Sequence, residues 1–442
     1  AAEQPGAEER ATGPAVLENE FLRAEFCPKS GELSRITDKT SGVTVQARQT
    51  WQWYRGAVGS GRTRESQQAS GAYIFRPNGT AATLVGKGPV KLAVRRGALA
   101  DEVLQTFAPW VSQRVRLAKG ARHLEITYTA GPIPIEDGVG KELVTRISTS
   151  IENAGECYTD SNGREMIRRR RDFRDSWAYN ATDHGEPIAG NYFPVTTAIS
   201  IRDQRAQMTV LTDRAQAGSG SVHDGEIELL VHRRLLKDDG RGVGEPLNET
   251  EAISPYAGKD QARPLGLGLV VRGQHFLMLA PPAKAAAAWR QQMDHVYQPP
   301  TPIFLPGTRA RLAAHFSATE LALPANVQLV SLEPVAEHKV LVRLAHQFGL
   351  GEDAELSRPV TIDVARLFAG RRIATLEERG LTGTVPRAEV LQRRIAWPVE
   401  GEPSPKVLGA EGHSGNAPTQ VTLGPLQIRT FHVELAPPEV HV

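Results

Sequence analysis

Cysteine is nearly absent from this 442-residue chain, with only Cys27 and Cys157. A multi-disulfide framework is excluded, and two thiols so far apart either pair with each other or stay free. No apolar run reaches the ~20 residues that a membrane-crossing helix needs. Neither charge sign is in excess: 52 Lys and Arg face 50 Asp and Glu, a balance that implies no nucleic-acid and no membrane partner. The one basic run, Arg168 to Arg171, is followed by Asp172 and Asp175 and reads as a self-neutralised surface.

The signatures of a self-contained active site are missing as well. The chain has no GxSxG elbow, no HExxH helix, no GxGxxG after a strand, no P-loop and no CxxC pair. Its one HxE pair, His184 with Glu186, has no further ligand at a spacing that completes a metal site. Carboxylates are plentiful, but in a β-rich chain spacing alone cannot set two of them ~5 Å apart, as a retaining glycosidase requires.

What is present is overwhelmingly strand-like. Short apolar runs recur between turn residues: Leu33 to Ile36, Val43 to Val45, Trp51 to Tyr54, Tyr73 to Phe75, Val90 to Val94 and Val103 to Phe107. Leu124, Ile126 and Tyr128 alternate with polar neighbours, which sets them on one face of a half-buried strand. Turn signals such as Pro28-Lys-Ser-Gly31 separate the runs. Many short strands at this spacing predict an all-β chain of antiparallel sandwiches. Ala283 to Tyr297, rich in Ala and closed by Pro299 and Pro300, predicts the one helix, packed closely on a sheet. Strand patterns resume at Val327 to Leu332, Val340 to Leu344, Val360 to Val364 and Leu426 to Val433, with a long loop from Gly401 to Pro418. The expected organisation is a disordered leader at 1–13, a large β domain at 14–323 and a smaller C-terminal β-sandwich at 324–442.

The densest charge beside glycine lies in VHRRLLKDDGRGVGEPL, from Val231 to Leu247. It reads either as an ion-paired loop whose glycines permit positive φ, or as a loop turned toward a polar ligand with Asp238, Asp239 and Arg241 as its hydrogen-bonding groups. Three acceptor sequons, Asn78-Gly-Thr, Asn180-Ala-Thr and Asn248-Glu-Thr, point toward a secretory route.

Several colinear stretches resemble the C-terminal part of the glycoside hydrolase family 38 α-mannosidases, most closely the lysosomal acid members. They are SGAYIFRPNG (70–79), GPIPIEDGVGKELVTRIST (131–149), YTDSNGREMIRRRRDFR (158–174), GNYFPV (190–195), MTVLTDRAQAGS (208–219) and HRRLLKDDGRGVGEPL (232–247). Weaker likeness runs on through LAHQF (344–348) and IRTF (428–431), so that residues 16–433 are covered.

The resemblance implies a galactose-mutarotase-like β-supersandwich followed by a smaller sandwich. It also implies a zinc-dependent retaining α-mannosidase whose zinc ligands and nucleophile lie on a separate N-terminal α/β chain, with no catalytic residue and no metal ligand here. Its partners would be that catalytic chain and mannose-containing oligosaccharides of glycoprotein N-glycans. The assembled enzyme would be a homo-oligomer in the lysosomal or vacuolar lumen, or secreted. Tyr73 and Arg241 match family positions that reach the mannose pocket. Asp238 and Asp239 are expected to hold the loop, through Arg233 or Arg234 or through backbone amides. Asn180 and Asn248, more than Asn78, are the expected glycan sites. The family pattern supplies no cysteine partners at 27 and 157, so no disulfide is carried over. The alternative is a stand-alone carbohydrate-binding or mutarotase-like sandwich, acting through its own His and Glu.

Overall fold

The computed structural model describes residues 15–59, 68–180, 185–251, 266–304, 316–317, 319–320, 322–395, 397 and 419–437. The expected leader at 1–13, His184 and the loop at 401–418 lie outside the described residues. Contacts divide the chain into two compact units between Tyr297 and Gln298, upstream of the boundary expected at 323.

The first unit is built on two antiparallel sheets of nine described strands each. In the first sheet Ala15–Glu18, Leu22–Phe26, Leu33–Asp38 and Thr44–Arg55 follow one another. Lys141–Thr149, Glu226–Arg234, Gln216–Ser219 and Phe193–Val195 continue it, and Thr83–Leu84 pairs beside Thr44–Arg55. In the second, Glu165–Arg170, Glu156–Ser161, Ala198–Arg202, Gln207–Thr212 and Val271–Ala280 lead to Leu124–Ala130, Val111–Ala118, Ala100–Ala108 and Lys91–Arg95. The all-β supersandwich is thus present. Tyr73 to Phe75 is not one of its strands; this run forms a loop, because its backbone amides are spent on a side chain rather than on a neighbouring strand.

Period-2 patterning explains the layering. Leu124, Ile126 and Tyr128 are buried, as their alternation predicts. Gln207–Thr212 is buried on both faces: Met208 and Val210 enter the core between the sheets, while Leu211 joins a second cluster under the helix Pro282–Tyr297. There Ala285, Ala286, Trp289 and Met293 are buried, and the alanines let the helix approach closely. Among the described residues no helix is long and apolar enough to cross a membrane. Both cysteines are free, and burial pushes the Cys157 thiol up to about 11.

The core between the sheets is not wholly apolar. Trp51 Nε1 donates to Gln113 Oε1 at 2.7 Å, and Gln113 Nε2 donates to Gln49 Oε1 (2.6 Å) and Gln105 Oε1 (2.7 Å). Gln49 then donates to Thr145 Oγ1, and Gln105 to the carbonyl of Gly31, whose φ of +71° matches the turn expected there. Trp51 and Gln49 belong to one sheet, Gln105 and Gln113 to the other. His275 is also interior: it stacks on Tyr128 at 5.0 Å, and its Nε2 lies 2.8 Å from Gln216 Oε1 of the facing sheet.

The second unit pairs Val327–Ala336, Lys339–His346, Ile428–Leu435 and Ile373–Arg379 in one sheet and Val360–Asp363 with Gln420–Leu423 in another. Val342, Leu344, Phe431, Ile362, Val421 and Leu423 from both sheets form its core. A short helix, Arg387–Arg393, has no buried residue, so no apolar period announces it in the sequence.

Two consequences are measurable. Gln113→Ala leaves the Trp51 indole N–H and two buried amide oxygens unpartnered and should cost at least ~2 kcal/mol in urea denaturation; an unchanged midpoint would contradict the network. Burial lowers the His275 imidazole from 6.5 to about 4, so the unfolded chain binds the proton more readily than the fold. Its stability contribution is complete above pH 6.5 and is lost as pH falls toward 4. This group should remove about 2 kcal/mol between pH 7 and pH 5, a slope that His275→Gln flattens.

Candidate functional site

The strand Glu226–Arg234 runs into the charged loop that stood out in the sequence. Asp239 follows it and is fully buried. Its Oδ2 accepts the backbone N–H of Tyr73 at 2.6 Å and of Ile74 at 3.0 Å, and its Oδ1 accepts that of Arg241 at 3.0 Å. One carboxylate therefore joins the segments that carry Tyr73 and Arg241. The Asp239 carbonyl also takes Gln68 Nε2 at 2.9 Å. Gly71 makes the seat possible: a Cβ there would lie 2.6 Å from Asp239 Cβ and 2.7 Å from its backbone nitrogen. Any side chain would push the two segments apart.

Asp238 has a smaller part, its Oδ2 accepting Gly240 N–H at 3.1 Å. Gly240 and Gly242 have φ of +70° and +116°, the conformation that glycine favours. The side chain of Tyr73 is largely exposed, at 66 %, and Arg241 is exposed as well. Of the routes expected for holding the loop, backbone amides are the one Asp239 uses.

Arg233 and Arg234 act elsewhere. Arg233 lies directly across the strand pair from Glu142, which is fully buried; Arg233 Nη2 and Nε reach Glu142 Oε1 at 2.8 and 3.2 Å. Arg233 Nη2 also donates to the Ile74 carbonyl at 2.7 Å, and Ser70 Oγ donates to Glu142 Oε1 at 2.5 Å. The Tyr73 loop is thereby fastened from below. Burial raises the Glu142 carboxyl above its usual range, against the pull of Arg233 and Ser70. Arg234 instead holds Asn248 Oδ1 (2.7 Å) and the Ile133 carbonyl (2.9 Å).

Four residues further along Lys141–Thr149 the arrangement repeats with its charges exchanged. Arg146 pairs across the strands with buried Glu228 at 2.6 Å, and Tyr54 and Tyr192 donate their hydroxyls to the same carboxylate. Burial pushes both phenols above their ordinary range. Phe75 lies over this layer, 4.7 Å from Tyr192. Glu142, Ser70, Gln68 and Gly71 were not singled out by sequence reasoning; their roles come from strand register and loop approach, for which the sequence carries no local signal.

Of the three sequon asparagines, Asn78 and Asn180 are exposed. Asn248 is only 6 % exposed and its amide is engaged by Arg234, which leaves a glycan no outlet there. The basic run is neutralised by other groups than expected: Arg168 and Arg170 pair with Glu156, and Arg171 with Asp224. Among the described residues no three His, Cys, Asp or Glu side chains converge to hold a metal ion.

Residues 17–241 match the model of the glycosyl hydrolases family 38 C-terminal domain. Lysosomal alpha-mannosidase of Homo sapiens is 42% identical over 431 residues, covering 96% of this chain and 40% of that protein. Alpha-mannosidase of Canavalia ensiformis is 37% identical over 418 residues, covering 93% of this chain and 41% of its own length. The crystal structure of an alpha-mannosidase from Enterococcus faecalis V583 shares the fold, with a TM-score of 0.60 at 13% identity, over 97% of this chain and 43% of that one. The chain thus spans about two fifths of the length of the relatives it matches. By this match over half its length, the chain belongs to glycoside hydrolase family 38.

Proposed function

We propose that the protein carrying this chain is a retaining, zinc-dependent α-mannosidase that removes terminal α-mannosyl residues from N-glycans, in a lysosomal or vacuolar lumen or outside the cell. In this reading a separate N-terminal α/β chain carries the zinc and the nucleophile, and the assembled enzyme is a homo-oligomer. The names of the 42% and 37% identical relatives support the activity, and the lysosomal name of the former supports the compartment. The described residues offer no ligand set that fits zinc, and in this reading the metal is held by the N-terminal chain.

The observation that carries the role of this chain is the Asp239 clamp, which brings Tyr73 and Arg241 to one carboxylate. A phenol both donates to and accepts from a sugar hydroxyl, and a main chain flanked by glycine allows close approach. The chain thus forms the rim of the mannose pocket. Tyr73 and Arg241 orient the sugar, and Asp239 holds their backbones in register. Proton transfer and nucleophilic attack fall to carboxylates outside this chain.

The intact protein should release mannose from a chromogenic α-mannoside with retention of configuration. The activity should disappear on chelation and return with zinc. The 442-residue chain alone should be inactive; hexose epimerisation or mannoside cleavage by that chain would overturn the division of labour. Tyr73→Phe in the intact protein should lower kcat/KM about tenfold, roughly 1.4 kcal/mol, with Tm unchanged because the side chain is exposed. Wild-type kinetics in that variant would remove Tyr73 from the pocket.

A further inference from the structure

The second unit contains a cavity of about 750 Å³ that the mannosidase reading does not use. Arg366, Arg371 and Arg372 line it, together with Phe368, Ile373 and Glu320. The chain folds to bring these arginines together. Asp363 Oδ1 accepts the N–H of Ala365 and starts a 3-10 turn at Val364–Leu367; Val364, Leu367 and Phe368 are buried; and Gly370, at φ +66°, sends the chain back through Arg371 and Arg372.

Among the described residues the three cations lack the counter-charge that buried or clustered guanidinium groups ordinarily have. None forms an ion pair with a carboxylate among the described residues, and no side-chain hydrogen bond of Arg366 or Arg372 is found there. Arg371 Nη2 lies 3.3 Å from the Ala436 carbonyl and 3.5 Å from His338 Nδ1, while its Nε is buried without an acceptor. Among the described residues Glu320 is the one acid in the wall, and its Oε1 is turned to the backbone N–H of Gly370 at 3.0 Å. Among the described residues the wall therefore keeps a net positive charge.

Planar guanidinium forks are matched by the paired oxygens of phosphate or sulfate. The cavity exceeds the size of one such ion, and Phe368 and Ile373 add an apolar wall beside the arginines. We propose that this cavity is a binding site for a tetrahedral oxyanion, either the free ion or the terminal group of a phosphate or sulfate monoester.

Isothermal titration of the intact protein at low ionic strength, with inorganic phosphate, inorganic sulfate and phenyl phosphate in turn, tests this. Saturable binding with a Kd of about 1 mM or tighter is expected, weakening as salt is added. Tighter binding of phenyl phosphate by about tenfold would assign the site to an ester; equal affinities would assign it to the free ion. Arg366 and Arg372 are exposed, so R366Q/R372Q should keep the unliganded Tm and lose at least about tenfold in affinity. Arg371→Lys, which keeps the charge and loses the fork, should also weaken binding. Absence of saturable binding to all three probes, or binding undiminished in R366Q/R372Q, would overturn the assignment. Mannosidase activity is not a readout here, so this result and the test of the proposed function are independent.

Discussion

A single carboxylate holds together two segments that lie 166 residues apart in the chain. Asp239 reaches the Tyr73 loop with one oxygen and Arg241 with the other, and both contacts go to backbone amides rather than to side chains. Charge-assisted bonds of this kind contribute about 1.5–3 kcal/mol each, more than a neutral bond. They fix main-chain positions and leave the side chains of Tyr73 and Arg241 outward. The absence of a side chain at Gly71 is as much a part of this arrangement as the carboxylate itself.

Beneath the loop lie two buried ion pairs of opposite sense, Glu142 with Arg233 and Arg146 with Glu228. Removing charges from water is costly, and buried pairs offset that cost only when further hydrogen bonds complete them. Here Ser70 and Ile74 add bonds to the first pair, which still leaves Glu142 Oε2 buried without a donor, and Tyr54 and Tyr192 add theirs to the second. Because the partners are direct cross-strand neighbours, the same pairing that builds the sheet also sets the floor on which the loop rests. The Ser70 hydroxyl and the Ile74 carbonyl belong to that loop, so the floor and the loop are fastened to each other.

Much of the fold is legible in the residues. Alternation at Leu124, Ile126 and Tyr128 marks a strand and its inner face, and the alanine run at 285–288 marks the helix that covers Gln207–Thr212. Tyr73 to Phe75 shows where pattern reading fails: a short apolar run looks the same whether its amides face a strand or a carboxylate 166 residues away. The charged loop was visible as a feature, and its glycines as turns. Which arginine meets which acid was not, because the answer depends on a register interrupted by a bulge between Leu143 and Val144. Asn248 is a related case, a sequon in the sequence and a buried partner of Arg234 in the fold.

The glutamine chain between the sheets has a consequence beyond its own bonds. Two apolar faces can slide over each other at little cost, since a leucine is satisfied by many neighbours. Amides and an indole N–H are satisfied only at one alignment, and a slip of one residue pair would leave Trp51, Gln49, Gln105 and Gln113 without partners in a dry interior. The sandwich therefore carries an internal vernier that reads the offset between its two layers. The Thr44–Arg55 strand that bears Trp51 and Gln49 also pairs with Lys141–Thr149, the strand of Glu142, so the loop of Tyr73 inherits its placement from an alignment set in the core.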